Sequence, residues 1–394
     1  MFWKLQEDVL NRRDLDLLIA FIKSTSRFTQ FKTVSRFEKK FSQWQKCKNC
    51  VYVNSGSSAN FLLINALKEL NKWTADDEII VPAVTWPTNI GPVIQNGLKP
   101  VFVDVNLKDL SFDYKRLGKS ITKNTRAIFV THLIGIPANM LLINKIVGNR
   151  SIAILEDCCE SQGATIGSQK VGSFGIGSTF SFYWGHHMTT VEGGMICTDD
   201  EELYKILLLK RSHGLARELP LKYHREIRKR NKNIDFRFLF LTDGFNMRNT
   251  ELHAEIGLSQ LERIDNYIGI RNSNYADFME MCRKYDELIL LKSKGVSSFS
   301  LPFFFKDQIK KRKFQKFITK HGIESRPLIS GNLLLQPFLK TYYDPENFKN
   351  ADFLHNNAFY IGNNQFVNME KLRFLKKIME DFFKKRIIYA KRNH

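Results

Sequence analysis

Two adjacent histidines, His186 and His187, lie in the stretch SFYWGHHMTTVEGG (181–194), between an apolar run and a Glu-Gly-Gly turn. Imidazole titrates near pH 6.5, so such a group can take or give a proton at working pH. Three further sites could bind a ligand. In NSGSSA (54–59), Gly56, Ser57 and Ser58 could cradle an anion on the free N–H groups of a helix start, although Ser and Gly also make ordinary caps. Asp157, directly after SIAILE, puts a carboxylate at a strand end. It could pair with a protonated ring nitrogen, cap a helix or join a salt bridge. Trp86 in VPAVTWPTN offers an indole for stacking on a flat ring, with core packing as the alternative. Cys47-Lys-Asn-Cys50 is a lone C-x2-C with no second ligand pair following, so it reads as a plain surface turn and no metal is expected.

The elements that must position these groups follow from hydrophobic patterning. Short β-branched runs at 50–54, 78–82, 100–105, 127–132, 152–157, 179–183 and 195–198 alternate with amphipathic stretches such as ANFLLINALKEL. This predicts an α/β fold: a mainly parallel sheet covered by helices on both faces, with ligands gathered at the carboxyl ends of the strands. The glycine-serine turn, Trp86, Asp157 and Ser181 then share one edge. Residues 250–290 read as one long helix. A smaller unit follows, with the strand FSLPFFF, a basic helix closed by Gly322, and the Lys-rich helix EKLRFLKKIMEDFFKKR. The expected division is a large domain, 1–265, and a small C-terminal α/β domain, 266–394.

A chain of 394 residues exceeds what one core usually holds. Its first thirty residues lack the pattern of a secretory signal, and no run approaches the roughly 18 uncharged apolar residues of a membrane span. A cytoplasmic protein is expected. The net charge of +20 could attract anions. The densest basic cluster, KYHREIRKRNKNIDFR (222–237), carries no nucleic-acid module signature. It reads as a solvated loop, or as a patch that gathers anionic substrate.

A phosphate nest, an aromatic lid, a carboxylate and an acid/base group together describe a pocket for pyridoxal phosphate. From about Phe28 onward the chain resembles the DegT/DnrJ/EryC1/StrS sugar aminotransferase family. The likeness is carried, in one order, by FTQFKTVSRFEKKFSQW, VNSGSSAN, VPAVTWPTN, PVFVDV, ILEDCCESQGA, VGSFG, SFYWGHHMTTVEGG and GFNMRNTELHAEIGLSQL. The resemblance implies a fold-type I aminotransferase architecture. It also implies that Gly56, Ser57, Ser58 and Ser181 hold the cofactor phosphate, Trp86 stacks on the ring and Asp157 pairs with its nitrogen. Asn246 in GFNMR would reach the phosphate of the neighbouring subunit in a homodimer. Glu160 falls where amino-transferring members carry Gln.

The larger departure is at position 186. The family pattern S-F-x-x-x-K ends in the lysine that bonds to the cofactor, and here that position is His186. Pyridoxal or pyridoxamine phosphate would then be held without a covalent bond, with His186 as the proton carrier. This resembles the nucleotide-sugar 3-dehydratase branch of the family, of which the enzyme acting on GDP-4-keto-6-deoxymannose in colitose formation is the nearest type. The resemblance implies a nucleotide-linked 4-keto-6-deoxysugar as substrate, L-glutamate as amino donor and ammonia as product. Members that carry an iron–sulfur cluster have a Cys-rich stretch between the histidine motif and GFNMR; here 211–236 contains no cysteine, so no cluster is expected. His187 would support His186 or touch the sugar. Arg326, in GIESRPLISGN, would meet an anionic group of substrate or donor, or form a surface salt bridge. An aminotransferase with a relocated amine and a non-catalytic binding protein are the rival readings.

Overall fold

The computed structural model describes residues 1–291, 293–344 and 346–390, with side chains described as far as Phe383 at the C-terminal end. All seven predicted runs enter one sheet: β1 (Asn49–Val53), β2 (Glu78–Pro82), β3 (Lys99–Val103), β4 (Thr125–Thr131), β5 (Ala153–Asp157), β8 (Gly177–Ser181) and β9 (Gly194–Thr198). Their order is β1-β9-β8-β5-β4-β2-β3, and only β9 runs against the rest. The two-residue strands β6 (Thr165–Ile166) and β7 (Gln169–Lys170) form a separate hairpin. The strand expected at 179–183 starts earlier, because Gly177 already pairs with Leu155, and after Ser181 the chain leaves the ladder for the histidine loop.

Alternate side chains of each strand serve opposite layers, as a sheet buried on both faces requires. Ile79, Val81 and Phe129 pack with Leu62, Leu63 and Leu67 of the helix Gly56–Asn71, while Ile80, Ile128 and Val130 face Leu117, Met140 and Ile143. Phe180 and Met195 join Phe37 and Phe41 of the helix Lys32–Gln45. Each such buried apolar side chain contributes roughly 1.5–3 kcal/mol.

The long helix expected over 250–290 is two helices, Glu251–Leu261 and Ile264–Cys282. No Gly or Pro marks the break. Buried Asp14 fixes it, accepting from Ser259 (2.7 Å) and Gln260 (2.8 Å) before the break and from Arg263 after it. The second helix then leads to a small antiparallel sheet of order β10 (Ser300–Phe304), β12 (Ala358–Gly362), β11 (Ser325–Pro327). Phe303, Phe305, Phe314, Phe359 and Phe383 fill its core. Gly322, at φ +79°, closes the helix Gln308–Lys320 as expected. Trp3 is fully buried in this same core and donates its indole N–H to Gly362 O at 3.0 Å.

The basic segment 222–237 is not a loop throughout: Leu221–Arg230 is a helix with no buried residue. Among the described residues no helix is long and apolar enough to cross a membrane.

Candidate active site

A cavity of about 430 Å³ opens at the carboxyl ends of β2, β5 and β8 and at the start of the helix Gly56–Asn71. Like those of any helix start, the N–H groups of Gly56 and Ser57 have no intrahelical acceptor. A Cβ on Gly56 would lie 2.6 Å from the Cβ of Ser181, so only glycine lets the buried Ser181 approach this helix start. Ser58, expected here, does not line the cavity but pairs with the cap: its N–H goes to Ser55 Oγ (3.1 Å) and its Oγ accepts from Ser55 Oγ (3.0 Å). Ser55, the cap, lines the cavity instead. The NSGSSA pattern signals a cap, but nothing in it marks Ser55 as a cavity residue.

Asp157 is buried at the end of β5. Its Oδ2 accepts from Asn89 (2.7 Å) and Asn60 (3.0 Å), and its Oδ1 from the Cys159 N–H (2.9 Å). These partners are neutral, and the carboxylate forms no ion pair among the described residues. A cationic ligand atom would therefore meet an oriented, unneutralised charge. Neither amide was singled out from sequence, although Asn89 stands within the Trp86 motif. Trp86 is 54% exposed at the cavity wall, which excludes the core-packing alternative.

Glu160 also lines the cavity. Its Oε2 accepts the N–H of Ile134 at 2.8 Å, from a backbone held at φ +50°. Burial, with Asp157 adding repulsion, pushes its carboxyl up to about 8. Its carboxyl thus keeps its proton to higher pH than an ordinary carboxylate, and Oε2 is engaged as an acceptor. A neutral carboxyl offers one donor and one acceptor, as a carboxamide does. The Gln-to-Glu departure therefore preserves the hydrogen-bonding pattern.

The loop after β8 brings His186 to the cavity wall, with its N–H on Tyr183 O (3.0 Å) and its ring 5.5 Å from that of Phe299. Its Nδ1 is buried with no hydrogen-bond partner. Burial, then the positive charge of Arg271, pulls the imidazole down to about 3. The ring is therefore neutral and a weaker base than an ordinary imidazole, so any proton it carries is readily given up. His187 does not line the cavity. Fully buried, it shares its Nε2–H between Ser297 Oγ (3.0 Å) and Ser297 O (3.2 Å).

The small sheet supplies the remaining wall. Arg326 on β11 and Tyr360 on β12 line the cavity, and Arg326 makes no ion pair among the described residues, against the surface salt-bridge alternative. Gln6 and Phe299 also line it, with no signal in the sequence to find them. Asn246 does not. It lies on a separate open cleft of about 1100 Å³ bordered by Arg27, Phe31 and Leu221.

These residues fit a phosphorylated pyridine. There is an anion site at a helix start beside a serine, an uncompensated carboxylate, an exposed indole and a neutral imidazole. Fold and site together define a pyridoxal phosphate enzyme of the aminotransferase fold whose lysine position is occupied by histidine. The chain belongs to the DegT/DnrJ/EryC1/StrS aminotransferase family, whose pattern matches residues 11–378. It is 36% identical over 370 residues to GDP-4-keto-6-deoxy-D-mannose 3-dehydratase of Escherichia coli O55:H7, covering 92% of this chain and 95% of that protein. With the Yersinia pseudotuberculosis protein of the same name it shares 34% over 378 residues, covering 94% and 96%. A crystal structure of GDP-4-keto-6-deoxymannose-3-dehydratase with a trapped PLP–glutamate geminal diamine superposes with a TM-score of 0.87 at 33% identity, over 95% of this chain and 99% of that one.

Proposed function

We propose that this protein is a pyridoxal phosphate-dependent lyase, a nucleotide-sugar 3-dehydratase that removes the C3 hydroxyl of GDP-4-keto-6-deoxymannose, with L-glutamate as amino donor. The products are ammonia, 2-oxoglutarate and the 3-deoxy-4-ketosugar, so glutamate balances the reduction at C3. The observation that carries this reading is the neutral His186 at the cavity wall, where no lysine lines the cavity among the described residues. The reading disfavours an aminotransferase with a relocated amine for the same reason.

When bound, the cofactor supplies an amine for the sugar's keto carbon and an electron sink beside it. Gly56, Ser57, Ser55 and Ser181 would hold its phosphate, Trp86 would cover the ring and Asp157 would pair with the ring nitrogen. His186 takes up a proton and delivers one to the departing C3 oxygen. With Nδ1 unpartnered and the ring buried, the charged imidazole has no protein acceptor there and gives its proton up readily. Glu160, raised by burial, adds a donor without adding charge when protonated. Phe299 and Tyr360 keep bulk water from the histidine.

The same reading makes the chain a homodimer in which Asn246 reaches the neighbouring subunit's cofactor phosphate. It is supported by exposed apolar residues at its cleft, Phe31 and Leu221, and by the exposed stripe Leu15, Ile19 and Ile22 on the helix Arg12–Ser24. Residues 1–265 then hold the cofactor and 266–394 close over it, in an enzyme of the cytoplasm where nucleotide sugars are made.

The test incubates the protein with pyridoxal phosphate, L-glutamate and GDP-4-keto-6-deoxymannose, following ammonia and sugar mass. Ammonia with loss of one sugar oxygen is expected. A 4-amino sugar would assign an aminotransferase, and no turnover across several nucleotide sugars would leave a binding protein.

A further inference from the structure

Three sulfur atoms converge near the start of β1, away from the cavity. Cys50 on β1 stands directly opposite Cys197 on β9, with their Sγ atoms 3.3 Å apart. Cys47, in the turn between the helix Lys32–Gln45 and β1, places its Sγ 3.5 Å from that of Cys50. All three sulfurs lie within 4.8 Å of one another. The sequence expectation of a plain turn without further ligands is therefore corrected, since the third thiol comes from 147 residues away.

The turn is held by its own backbone. The helix ends at Lys46 in the left-handed region (φ 64°), the Cys47 N–H returns to Ser42 O (3.1 Å), and the Lys48 N–H reaches Asp199 Oδ1 (2.7 Å) just beyond β9. Cys50 and Cys197 are buried and Cys47 half-buried. A disulfide needs sulfurs about 2.05 Å apart, more than 1 Å closer than any pair here. Zinc–sulfur bonds of about 2.3 Å at tetrahedral angles space sulfurs by about 3.8 Å, so the pairs at 3.3 and 3.5 Å would need to open only slightly to take the ion. Another buried group of metal-ligating residues, His132, Glu156 and Cys158, shows the contrast. There the Glu156 carboxylate is filled by the N–H groups of Gly172, Phe174 and Gly175 and by His132 Nε2–H, leaving no room for an ion.

We propose that Cys47, Cys50 and Cys197 form a structural site for a thiophilic d10 cation, Zn²⁺ in the first instance, with water completing the coordination. No fourth His, Cys, Asp or Glu ligand joins the cluster among the described residues. The site clamps the turn after the helix Lys32–Gln45 to the sheet's edge strand β1 and its neighbour β9. Thiolate is the ligating form of cysteine, so binding of the cation displaces thiol protons to solvent. Cys50 is five residues from Ser55, about 16 Å along a strand, so the clamp acts on stability and leaves catalysis alone.

The full-length protein, stripped with chelator and reductant, is titrated with Zn²⁺ and with Co²⁺. The expected result is one equivalent per chain, a sulfur-to-cobalt charge-transfer band, a higher thermal midpoint, and proton release on binding. Cys47→Ser, at the half-buried position, and Cys197→Ser should each weaken binding at least about 100-fold, while turnover with pyridoxal phosphate shows that both variants are folded. Equal Co²⁺ affinity in the parent and both variants overturns the proposal. So does a band without sulfur character, or a Cys47–Cys50 or Cys50–Cys197 disulfide as the only stable form of protein purified without reductant.

Discussion

Arg271 donates from its guanidinium to the main-chain carbonyl of His186 at 3.1 Å, although the side chain is only 1% exposed and meets no carboxylate among the described residues. Its other acceptors are the carbonyls of Phe299 and Asn363. One buried cation thus gathers the histidine loop, the approach to β10 and the exit of β12. Burial pulls Arg271 itself down to about 9, and its charge helps to keep the imidazole neutral.

Arg271→Met should therefore leave three carbonyls without a donor, at about 1–3 kcal/mol each. A loss of several kcal/mol is expected in urea denaturation. A second readout separates electrostatics from folding: in surviving enzyme the acid limb of kcat/KM should move up toward the ordinary imidazole range. An unchanged limb would remove Arg271 from the tuning of His186.

His186→Asn should lower kcat by about 10²–10⁴ while cofactor affinity, measured by equilibrium dialysis, changes little. His186→Lys should create a bond to pyridoxal phosphate that borohydride traps, visible as added protein mass. The parent protein should show no such trapping.

Two buried groups set opposite pH trends. Glu160 is raised from 4.5 to about 8, so between those values the folded protein holds a proton that the unfolded chain lacks, and its contribution to stability falls as pH rises through that window. His186 is lowered from 6.5 to about 3, so the unfolded chain binds the extra proton and stability rises with pH across that range. Activity should accordingly persist below pH 6 and decline above about 8. Glu160→Gln should abolish the alkaline decline in kcat/KM, and an unchanged decline in that variant would assign it elsewhere.

Gly56→Ala would drive a methyl into Ser181. Overpacking of this kind costs about 1–3 kcal/mol, so cofactor affinity should fall roughly 10–100-fold in fluorescence titration. Parent-like affinity would show that the helix start is not the phosphate site.

Most of the site could be read from sequence wherever a local rule governed it. Strand ends are marked by hydrophobic runs, so Asp157 and Ser181 were placed at the correct edge. The missing lysine was visible as a single letter in SFYWGHH. What escaped were contacts made by chain distant in sequence. Arg271 lies in an unbroken helical pattern, Gln6 comes from the opposite end of the chain, and Cys197 meets the C-x2-C turn only through the β1–β9 pairing. The helix break near Arg263 is likewise written in Asp14 rather than in a local Gly or Pro. Ser55 and Ser58 could not be told apart in sequence, because a cap and a ligand use the same residue types; in the fold Ser55 lines the cavity and Ser58 pairs with Ser55.

The exposed indole at the cavity wall has an optical consequence. Of the five tryptophans, Trp3 and Trp73 are buried, while Trp86, at 54% exposed, lines the cavity. Its fluorescence should be quenched by energy transfer to a bound pyridoxal chromophore, and Trp86→Phe should silence most of that signal. The protein thus carries its own emitter for timing how quickly the cofactor enters and leaves, without an attached dye.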